Sequence, residues 1–543
     1  MTTFPRDCSA ALSRRELLTL LLGSTLGMKA CQRPRPEPVA GRVVGGRMEV
    51  GHRIRHLGNV PETASRRQVP VVIVGGGIAG LSAAWRLERQ GEPRYAVLEL
   101  EASAGGTATY GMDGVVPYPW AAHYLPLPQR HHQSLCALLL EMGVVERGPA
   151  DSIVPLEACL VREPEERLFV GKQWVDGLIP TPLLTREDQR QMAQFQAIVQ
   201  HWAGWRDGRG RRAFDLPLAR CSSDDEVLQL DRISAASWLD AQQMYSMPLR
   251  WMLGYACRDD YGCSLETTSA WALLFYHAAR VTDRGQSSAP FLTWPEGNGR
   301  IVRHLEAVVG DRLQRDRLVV DVLPEADHVK VTVLDANTNR YEILTAEQVI
   351  VATPSFVTRH LVRPFRDDPP PHFSAFSYSP WLVANLHLRR RPRQVGFPIA
   401  WDNVVYQGAS LGYVVATHQT LQDEGPTIFT YYQPLVDSNP AVARQRLAVA
   451  EHAATWDAIT AEFGEAHPDL RDHVTRMDVW HFGHAMIRPV PGFISGCARQ
   501  KAAQPFGRIH FAHTDLSGLP LLDEAHFHGV RAADAVLAAM GPV

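Results

Sequence analysis

A strand, a helix and a second strand are predicted close together by the apolar positions that follow residue 68. Residues 69–74 form a nearly unbroken β-branched run, which is typical of a parallel strand covered on both faces. Apolar residues over 81–87 then follow helical spacing, and Gly91 is placed to end that helix. A second apolar run over 95–98 ends at Glu99. This order predicts a unit of an α/β fold.

The rest of the chain contains both helical spacing and strand-like alternation of apolar residues. Between about 130 and 285 the apolar spacing is mostly helical. Alternating apolar strands are predicted over 381–388, 410–417 and 427–432. The sequence therefore predicts a second domain that contains both helices and a sheet.

Composition and charge narrow the class of protein. The chain has 543 residues, of which 45% are hydrophobic and 21% charged, which excludes a disordered, collagen-like or small disulfide-stapled protein. The net charge of −3 divides into +7 over residues 1–70 and −10 over the remaining 473 residues. Because nucleic-acid binding needs a basic face, the acidic body excludes a nucleic-acid partner.

The amino terminus is predicted to be an export signal. Arg14 and Arg15 precede an uncharged run over 17–28, which is too short to span a bilayer. This arrangement resembles a twin-arginine signal, and it implies the twin-arginine export machinery as a partner and a periplasmic location. The alternative is a short buried helix after a chance arginine pair. Cys31 directly follows the run and is a candidate lipid anchor, although Lys29 departs from the small apolar residues of such sites.

Neither a metal site nor a membrane-spanning helix is predicted. The eight cysteines include no CxxC pair, and the 22 histidines are scattered. Cys257 and Cys263 are interpreted either as a disulfide or as two buried free thiols. After the amino terminus no stretch reaches 18 apolar residues.

A glycine motif between the two predicted strands carries the strongest chemical signal. Gly75 permits a tight turn, Gly77 lets a pyrophosphate approach backbone N–H groups, and Gly80 lets the helix pack closely on the strand. Glu99 stands where a carboxylate should accept hydrogen bonds from an adenosine ribose, with Glu101 as the alternative. Strand, glycines, helix, strand and acid in this order predict a dinucleotide site.

The residues after Glu99 indicate which dinucleotide binds. The segment 99–106, which ends in Gly105 and Gly106, resembles the second flavin-contact segment of the flavin amine oxidase and phytoene desaturase superfamily. Three later segments are similar to other motifs of that superfamily, namely 294–299, 349–354 and 507–515. The resemblance implies FAD as the cofactor.

The resemblance also implies FAD contacts near the carboxyl terminus. Asp515 resembles the acidic residue of the closing FAD motif, although it falls one place later than usual and His513 stands where the family usually has glycine. Asp523 and Glu524 resemble the family's start of the last helix, whose dipole would face the flavin. Glu524 replaces a glycine of the family there.

The resemblance further implies an FAD-binding Rossmann-like domain in three segments, with an inserted mixed α+β substrate domain. The expected division is a signal over 1–31, a linker or arm over 32–68, FAD-binding segments over 69–130, 286–375 and 501–543, a helical part of the substrate domain over 131–285 and a sheet part over 376–500.

Candidate catalytic residues come from aromatic clusters. Residues 117–124, called here the aromatic segment, stand where relatives pass the flavin ring, and His123 is interpreted as a proton acceptor or as a hydrogen-bonded wall residue. Tyr432 ends a predicted strand, and Trp480 resembles the strand residue that closes the pocket over the flavin. Residues 258–262 are interpreted as a helix-ending turn or as a substrate contact.

The predicted function is two-electron oxidation of a small organic molecule by hydride transfer to flavin N5, with an amine as first choice. One alternative is a desaturase or isomerase of a lipid-like polyene, which would have a long apolar tunnel. Another is a redox-inert FAD-binding scaffold or electron-transfer protein, which would lack an enclosed pocket. Because the chain has only four lysines and many relatives use a lysine at N5 in oxygen chemistry, a quinone or redox protein is favoured over oxygen as the acceptor.

Overall fold

The computed structural model of the chain describes residues 39–55, 64–149, 152–281, 289–436 and 439–541. The predicted signal, including Arg14, Arg15 and Cys31, lies outside the described residues. Residues 1–40 and 41–543 are separate units, and every feature below belongs to the second.

Strands and helices alternate along most of the chain. The strands are β1 (Val43–Val44), β2 (Ser65–Gln68), β3 (Val71–Val74), β4 (Tyr95–Leu98), β5 (Tyr110–Met112), β6 (Pro117–Pro119), β7 (Leu125–Pro126), β8 (Val145–Arg147), β9 (Ile153–Pro155), β10 (Glu166–Val170), β11 (Gln173–Asp176), β12 (Phe291–Leu292), β13 (Leu313–Gln314), β14 (Arg317–Pro324), β15 (Val329–Asp335), β16 (Tyr341–Ala346), β17 (Gln348–Val351), β18 (Tyr378–Leu388), β19 (Asp402–Val405), β20 (Tyr413–Val415), β21 (Thr427–Pro434), β22 (Val474–Ile487) and β23 (Ile509–Phe511). The helices are α1 (Met48–Gly51), α2 (Ile78–Arg89), α3 (Gln133–Glu141), α4 (Arg186–Gly204), α5 (Asp225–Leu228), α6 (Ala235–Ala241), α7 (Met247–Tyr261), α8 (Ala270–Ala278), α9 (Gly299–Val309), α10 (Ser355–Leu361), α11 (Arg363–Asp367), α12 (Pro440–Ala448), α13 (His452–Glu462), α14 (Leu470–His473), α15 (Ala498–Ala502) and α16 (Leu522–Met540).

A five-stranded parallel sheet forms the centre of the nucleotide-binding part. Its order is β13-β4-β3-β17-β23, so its strands come from three separate stretches of the chain. All four residues of β3 are buried, which explains its unbroken β-branched sequence. Gly529 of α16 packs against α2 so closely that a Cβ there would lie 2.2 Å from the carbonyl oxygen of Ala79. The predicted α/β fold class is confirmed.

Two further sheets complete the frame. A four-stranded sheet has the order β14-β15-β16-β2, and an eight-stranded mixed sheet has the order β1-β22-β18-β21-β20-β19-β10-β11. The strands predicted from alternation, now β18, β20 and β21, lie side by side in the larger sheet. β1 and β2 lie within the stretch predicted as a linker or arm and pair with β22 and β16.

The stretch predicted as mostly helical also contains four strands. β8 and β9 form a hairpin, and β10 and β11 join the eight-stranded sheet through β19. The apolar run in β10 is short and follows the buried Arg167, whose guanidinium packs 3.8 Å above the Trp174 ring. A charged residue at a fully buried strand position conceals the strand from hydropathy alone.

Cys257 and Cys263 are free buried thiols, which decides between the two interpretations of that pair. Within the described ranges, none of the helices is both long and apolar enough to cross a bilayer.

Candidate functional site: an open glycine turn beside an acidic, aromatic cavity

Three glycines shape the turn between β3 and α2. Gly75 has a φ of +104°, which residues with a Cβ rarely adopt. A Cβ on Gly80 would lie 1.9 Å from the carbonyl oxygen of Gly75, so glycine is required for the helix to pack on the turn. A Cβ on Gly77 would meet no atom within 4 Å, so the space beside the helix N-terminus is open. Because the first amides of a helix lack partners within it, this turn fits a pyrophosphate.

Glu99 contacts the same turn. Its Oε2 accepts a hydrogen bond from the Gly76 amide at 2.7 Å, and its Oε1 accepts one from the Glu101 amide at 2.8 Å. Burial raises the pKa of Glu99 to about 7, against the effect of these backbone bonds. Glu101 instead accepts the Arg47 amide at 2.8 Å. Glu99 is therefore the acid better placed for a ribose bound at the turn.

Backbone hydrogen bonds join the glycine turn to the aromatic segment. The Gly105 amide donates to the Gly76 carbonyl at 2.8 Å, and Gly105 and Gly106 both have positive φ angles. Directly after them, the Thr107 carbonyl accepts the Ala122 amide at 3.0 Å. The aromatic segment is thus fixed to the nucleotide turn through the second predicted glycine pair.

Residues 293–298 hold the other side of the aromatic segment. The Thr293 hydroxyl donates to the His123 carbonyl at 2.7 Å, and the Asn298 side chain donates to the Tyr124 carbonyl at 2.9 Å. A Cβ on Gly297 would lie 2.7 Å from the His123 Cα. These contacts explain why glycine and short polar residues precede α9.

Asp515 is fully buried at the end of the parallel sheet. Its Oδ2 accepts hydrogen bonds from the Ser355 amide at 2.7 Å and the Tyr378 hydroxyl at 2.5 Å, and its Oδ1 lies 2.9 Å from His513 Nδ1. Burial alone would raise the pKa of Asp515, but His513 and these donors hold it below its usual value. All these contacts are internal, so the predicted contact with FAD stays a prediction.

The first turn of α16 is enclosed by protein. Glu524 is fully buried, and its oxygens accept the Leu218 amide at 2.6 Å and the Ser517 hydroxyl at 2.5 Å. Burial raises the pKa of Glu524 to about 7. Asp523 Oδ1 lies 3.7 Å from His132 Nδ1. The predicted FAD contacts of Asp523 and Glu524 stay predictions.

A cavity of about 370 Å³ begins at the aromatic segment. It extends between α7 and the starts of β10 and β19, and its lining is mostly aromatic and acidic. The lining includes His123, Tyr124, Glu166, Trp251, Tyr255, Asp259, Tyr276, Phe291, Trp401, Asp402 and Tyr432.

Three rings that line the cavity contact one another, and we call their residues, His123, Tyr432 and Trp401, the aromatic wall. The rings of His123 and Tyr432 stack at 4.7 Å, and Trp401 lies 5.4 Å from the His123 ring. Burial lowers the pKa of His123 to about 4, although its Nδ1 lies 3.1 Å from the Ala121 carbonyl oxygen. Because a proton acceptor works best with a pKa near the working pH, so weak a base as His123 suits the wall role better than that of a proton acceptor.

Two acids that line the cavity begin neighbouring strands. Glu166 and Asp402 are the first residues of β10 and β19 and lie side by side in parallel register. Burial raises the pKa of Glu166 to about 7 and that of Asp402 well above its usual value. Glu166 and Asp259 raise the pKa of Asp402 further, and Asp259 also raises that of Glu166. The Tyr255 hydroxyl donates to Asp402 Oδ2 at 3.0 Å.

The acids of α7 have cationic neighbours. Asp260 forms two 2.8 Å hydrogen bonds with Arg280, and the Tyr124 hydroxyl donates to Asp259 Oδ2 at 3.1 Å. The helix ends at Tyr261, where Gly262 has a φ of +59°. Residues 258–262 thus form the end of a helix, which is the first of the two interpretations of this segment. Asp259 also lines the cavity, which the second interpretation, a substrate contact, requires.

The structure brings together two of the three predicted catalytic residues. His123 and Tyr432 line the cavity, whereas Trp480 stacks on Phe482 at 5.0 Å and meets Trp120 edge-on at 5.2 Å, outside the lining. Sequence reasoning missed Glu166 and Asp402, which belong to no motif. Only the register of β10 against β19 brings them together.

Comparison with known proteins identifies the family. The family model for flavin containing amine oxidoreductases matches residues 78–537. None of the curated proteins matches the sequence.

Solved structures show the same fold at low sequence identity. Wild-type putrescine oxidase bound to putrescine is 15% identical, covers 87% of this chain and 100% of its own, and has a TM-score of 0.64. Cyclohexylamine oxidase from Brevibacterium oxydans is 15% identical, with coverages of 87% and 100% and a TM-score of 0.61. A fatty acid isomerase from P. acnes is 14% identical, with coverages of 86% and 98% and a TM-score of 0.57. The chain belongs to the flavin containing amine oxidoreductases, and its cofactor is FAD.

Proposed function

We propose that this protein oxidises an amine with FAD. The observation that carries the proposal is the cavity, which starts at the aromatic segment next to the nucleotide turn and combines a neutral aromatic wall with half-buried acids. Aromatic faces and carboxylates both attract ammonium groups. Putrescine oxidase and cyclohexylamine oxidase share the fold, which supports this choice.

The cavity also argues against the two alternative functions, a polyene desaturase or isomerase and a redox-inert scaffold. A polyene desaturase or isomerase needs a long apolar tunnel, whereas Glu166, Asp259 and Asp402 open to this cavity. Polar acids beside an apolar chain would lose solvation without gaining a hydrogen-bond partner. A redox-inert scaffold has no use for a cavity of about 370 Å³ lined by side chains with shifted pKa values. These features favour an enzyme that acts on a cation.

The residues of the chain have separable tasks in this reaction. The glycine turn would hold the FAD pyrophosphate, and Glu99 would accept the ribose hydroxyls. Bound FAD supplies a two-electron acceptor, so that the amine loses a hydride from its α-carbon and a proton from nitrogen and becomes an imine. The aromatic wall excludes water and holds the reacting carbon, because its three rings enclose one side of the cavity.

Anaerobic bleaching of the flavin absorption band tests the proposal. The purified yellow protein is mixed with amines, amino acids, alcohols or polyenes in turn, with dithionite as the positive control. Bleaching by amines alone supports the proposal. Bleaching by another class, or by dithionite only, contradicts it.

We also propose that the reduced protein passes its electrons to a quinone or redox protein in preference to oxygen. Lys172 lies in the turn after β10, Lys330 lies within β15, and Lys501 lies in α15. None of these three described lysines lines the cavity. In stopped-flow mixing, quinone analogues should restore the flavin band faster than air-saturated buffer does. Rapid reoxidation by air with stoichiometric hydrogen peroxide would contradict this.

A periplasmic location through twin-arginine export is proposed from the amino-terminal sequence. Changing Arg14 and Arg15 to lysine should leave the FAD-loaded precursor in the cytoplasm, because that pathway carries folded proteins. Cell fractionation measures the outcome, and unimpaired export would contradict the proposal. The membrane fraction of the native protein tests the anchor at Cys31.

A further inference from the structure

A second, smaller cavity lies at the carboxyl ends of two strands of the parallel sheet, and we call it the strand-end cavity. β17 ends at Val351 and β23 at Phe511, and these two residues are partners in the parallel register. Both line the strand-end cavity, whose volume is about 30 Å³. In open α/β sheets, ligands bind outside the carboxyl ends of the strands. This volume has room for about two water molecules or one small ion, and it excludes a nucleotide.

Nitrogen groups that lack partners line the strand-end cavity. Among them are the side chains of His372 and Lys501. His372 Nε2 is buried and has no hydrogen-bond partner among the described residues, and leaving such a group unpaired is costly. Burial and the neighbouring Lys501 ammonium both lower the pKa of His372. The Lys501 side chain itself makes no hydrogen bond or ion pair in the part of the chain that the structure describes.

His513 contributes a third nitrogen to the lining. Its Nδ1 lies 2.9 Å from Asp515 Oδ1, which fixes the imidazole ring. Its other ring nitrogen, Nε2, makes no hydrogen bond within the described protein. Nε2 is therefore the nitrogen of His513 that can meet a ligand. Because the family usually has glycine at this position, this nitrogen is an addition of the present chain.

The charges around the strand-end cavity favour an anion. None of the described residues that line it is acidic, and most of the other lining residues are apolar. Asp515, the acid that His513 contacts, is also bound by the Ser355 amide and the Tyr378 hydroxyl. Arg531 donates to the carbonyl oxygen of Phe511 at 2.7 Å and adds a second positive charge beside the lining. In apolar surroundings the attraction between a cation and an anion is stronger than in water.

We propose that the strand-end cavity binds a small oxyanion, such as inorganic phosphate, through the Lys501 ammonium and the Nε2 atoms of His372 and His513. An ammonium group and two ring nitrogens can donate hydrogen bonds to different oxygens of one tetrahedral ion. The strand-end cavity shares no lining residue with the larger cavity. The proposal therefore does not depend on the oxidation of an amine.

Calorimetric titration of the FAD-loaded protein with inorganic phosphate, at constant ionic strength, tests the proposal. One phosphate should bind per chain, with a Kd of about 1 mM or tighter. Lys501→Met and His372→Leu should each weaken binding at least about 10-fold, because each removes a hydrogen bond to a charged ligand. Both variants should retain FAD. Two variants are used so that misfolding of one leaves the other to decide.

Lys172→Met is the matched control, because it removes the same charge elsewhere. Lys172 is exposed in the turn after β10 and does not line the strand-end cavity, so its variant should bind phosphate within about threefold of the native protein. Absence of saturable binding would overturn the proposal, as would equal affinity in all four proteins. Loss of FAD from a folded Lys501→Met variant would also overturn it, because the strand-end cavity would then serve the phosphates of the cofactor.

Discussion

Replacing Gly77 by valine should abolish FAD binding and leave the fold intact. Gly77 has a φ of −74° and a ψ of 179°, an extended conformation that β-branched residues adopt readily. A Cβ at this position would meet no protein atom within 4 Å. The methyl groups of valine would instead occupy the space where a pyrophosphate approaches the amides at the start of α2.

The loss of fold stability and the loss of FAD affinity should differ in size. At a position before a helix, exchanging glycine for an apolar residue costs about 1 kcal/mol of stability. Losing two charge-assisted hydrogen bonds to phosphate, at about 1.5–3 kcal/mol each, weakens FAD binding by about 100- to 10,000-fold. The variant should therefore be purified colourless. Its thermal midpoint should lie within about 3 °C of that of the native apoprotein.

Absorbance gives the FAD content, and thermal unfolding of both apoproteins gives the stability. Gly204→Val is the matched control, because a Cβ on Gly204 also meets nothing within 4 Å but lies at the end of α4. It should retain FAD. Gly80→Val should fail differently, through collision with the Gly75 carbonyl oxygen and loss of stability. Stoichiometric FAD in the Gly77 variant would refute the phosphate assignment, and an unfolded apoprotein would refute the claim of open space.

Three further predictions concern buried groups. Burial raises the pKa of Glu524 from 4.5 to about 7, so the folded state binds more protons than the unfolded state between these values, and stability is lost as the pH rises through that window. Relative to Glu524→Gln, the free energy of unfolding of the native protein should fall by up to about 3 kcal/mol between pH 4.5 and 7 and should fall no further above pH 7. If the difference in thermal midpoint between the two proteins does not change with pH, the reasoning is wrong. Arg280→Met leaves Asp260 buried without its partner and should destabilise the protein by about 3–5 kcal/mol in chemical unfolding, whereas the double change with Asp260→Asn should recover part of that loss. Gly529→Val should separate α16 from α2, because its Cβ would lie 2.2 Å from the Ala79 carbonyl oxygen; an unchanged thermal midpoint would contradict that packing.

The nucleotide-binding part could be predicted from the sequence because its signals are local. The β-branched run, the glycines and Glu99 lie within one strand–helix–strand unit, and each glycine answers a steric need of its immediate neighbours. The predicted strand over 95–98 is β4 itself. The helix end at residues 258–262 could also be predicted because its signal is local in the sequence.

The cavity could not be predicted in this way because its parts are distant in the sequence. Glu166 and Asp402 meet only through the parallel pairing of β10 with β19, and β10 lies in a stretch whose spacing is otherwise helical. Arg167 further conceals β10, because the charge of this buried residue is balanced by contacts from distant residues such as Asn403 and Tyr413. His123 and Tyr432 were identified singly from their aromatic surroundings. The stacking of the His123 and Tyr432 rings arises only in the tertiary structure.

The two acidic clusters of the cavity show why its ligand should be a cation. The chain buries Asp260 against Arg280, one nitrogen of which donates to both carboxylate oxygens, so it has the means to neutralise a carboxylate at this depth. Among the residues that the structure describes, Glu166 and Asp402 have no such partner, although the two lie side by side and Glu166 raises the pKa of Asp402. Acids with pKa values raised in this way concentrate at functional sites. Both acids line the cavity, and their raised pKa values mean that protons neutralise them in the empty cavity, so a cation that enters would favour their ionised form and take the place of those protons.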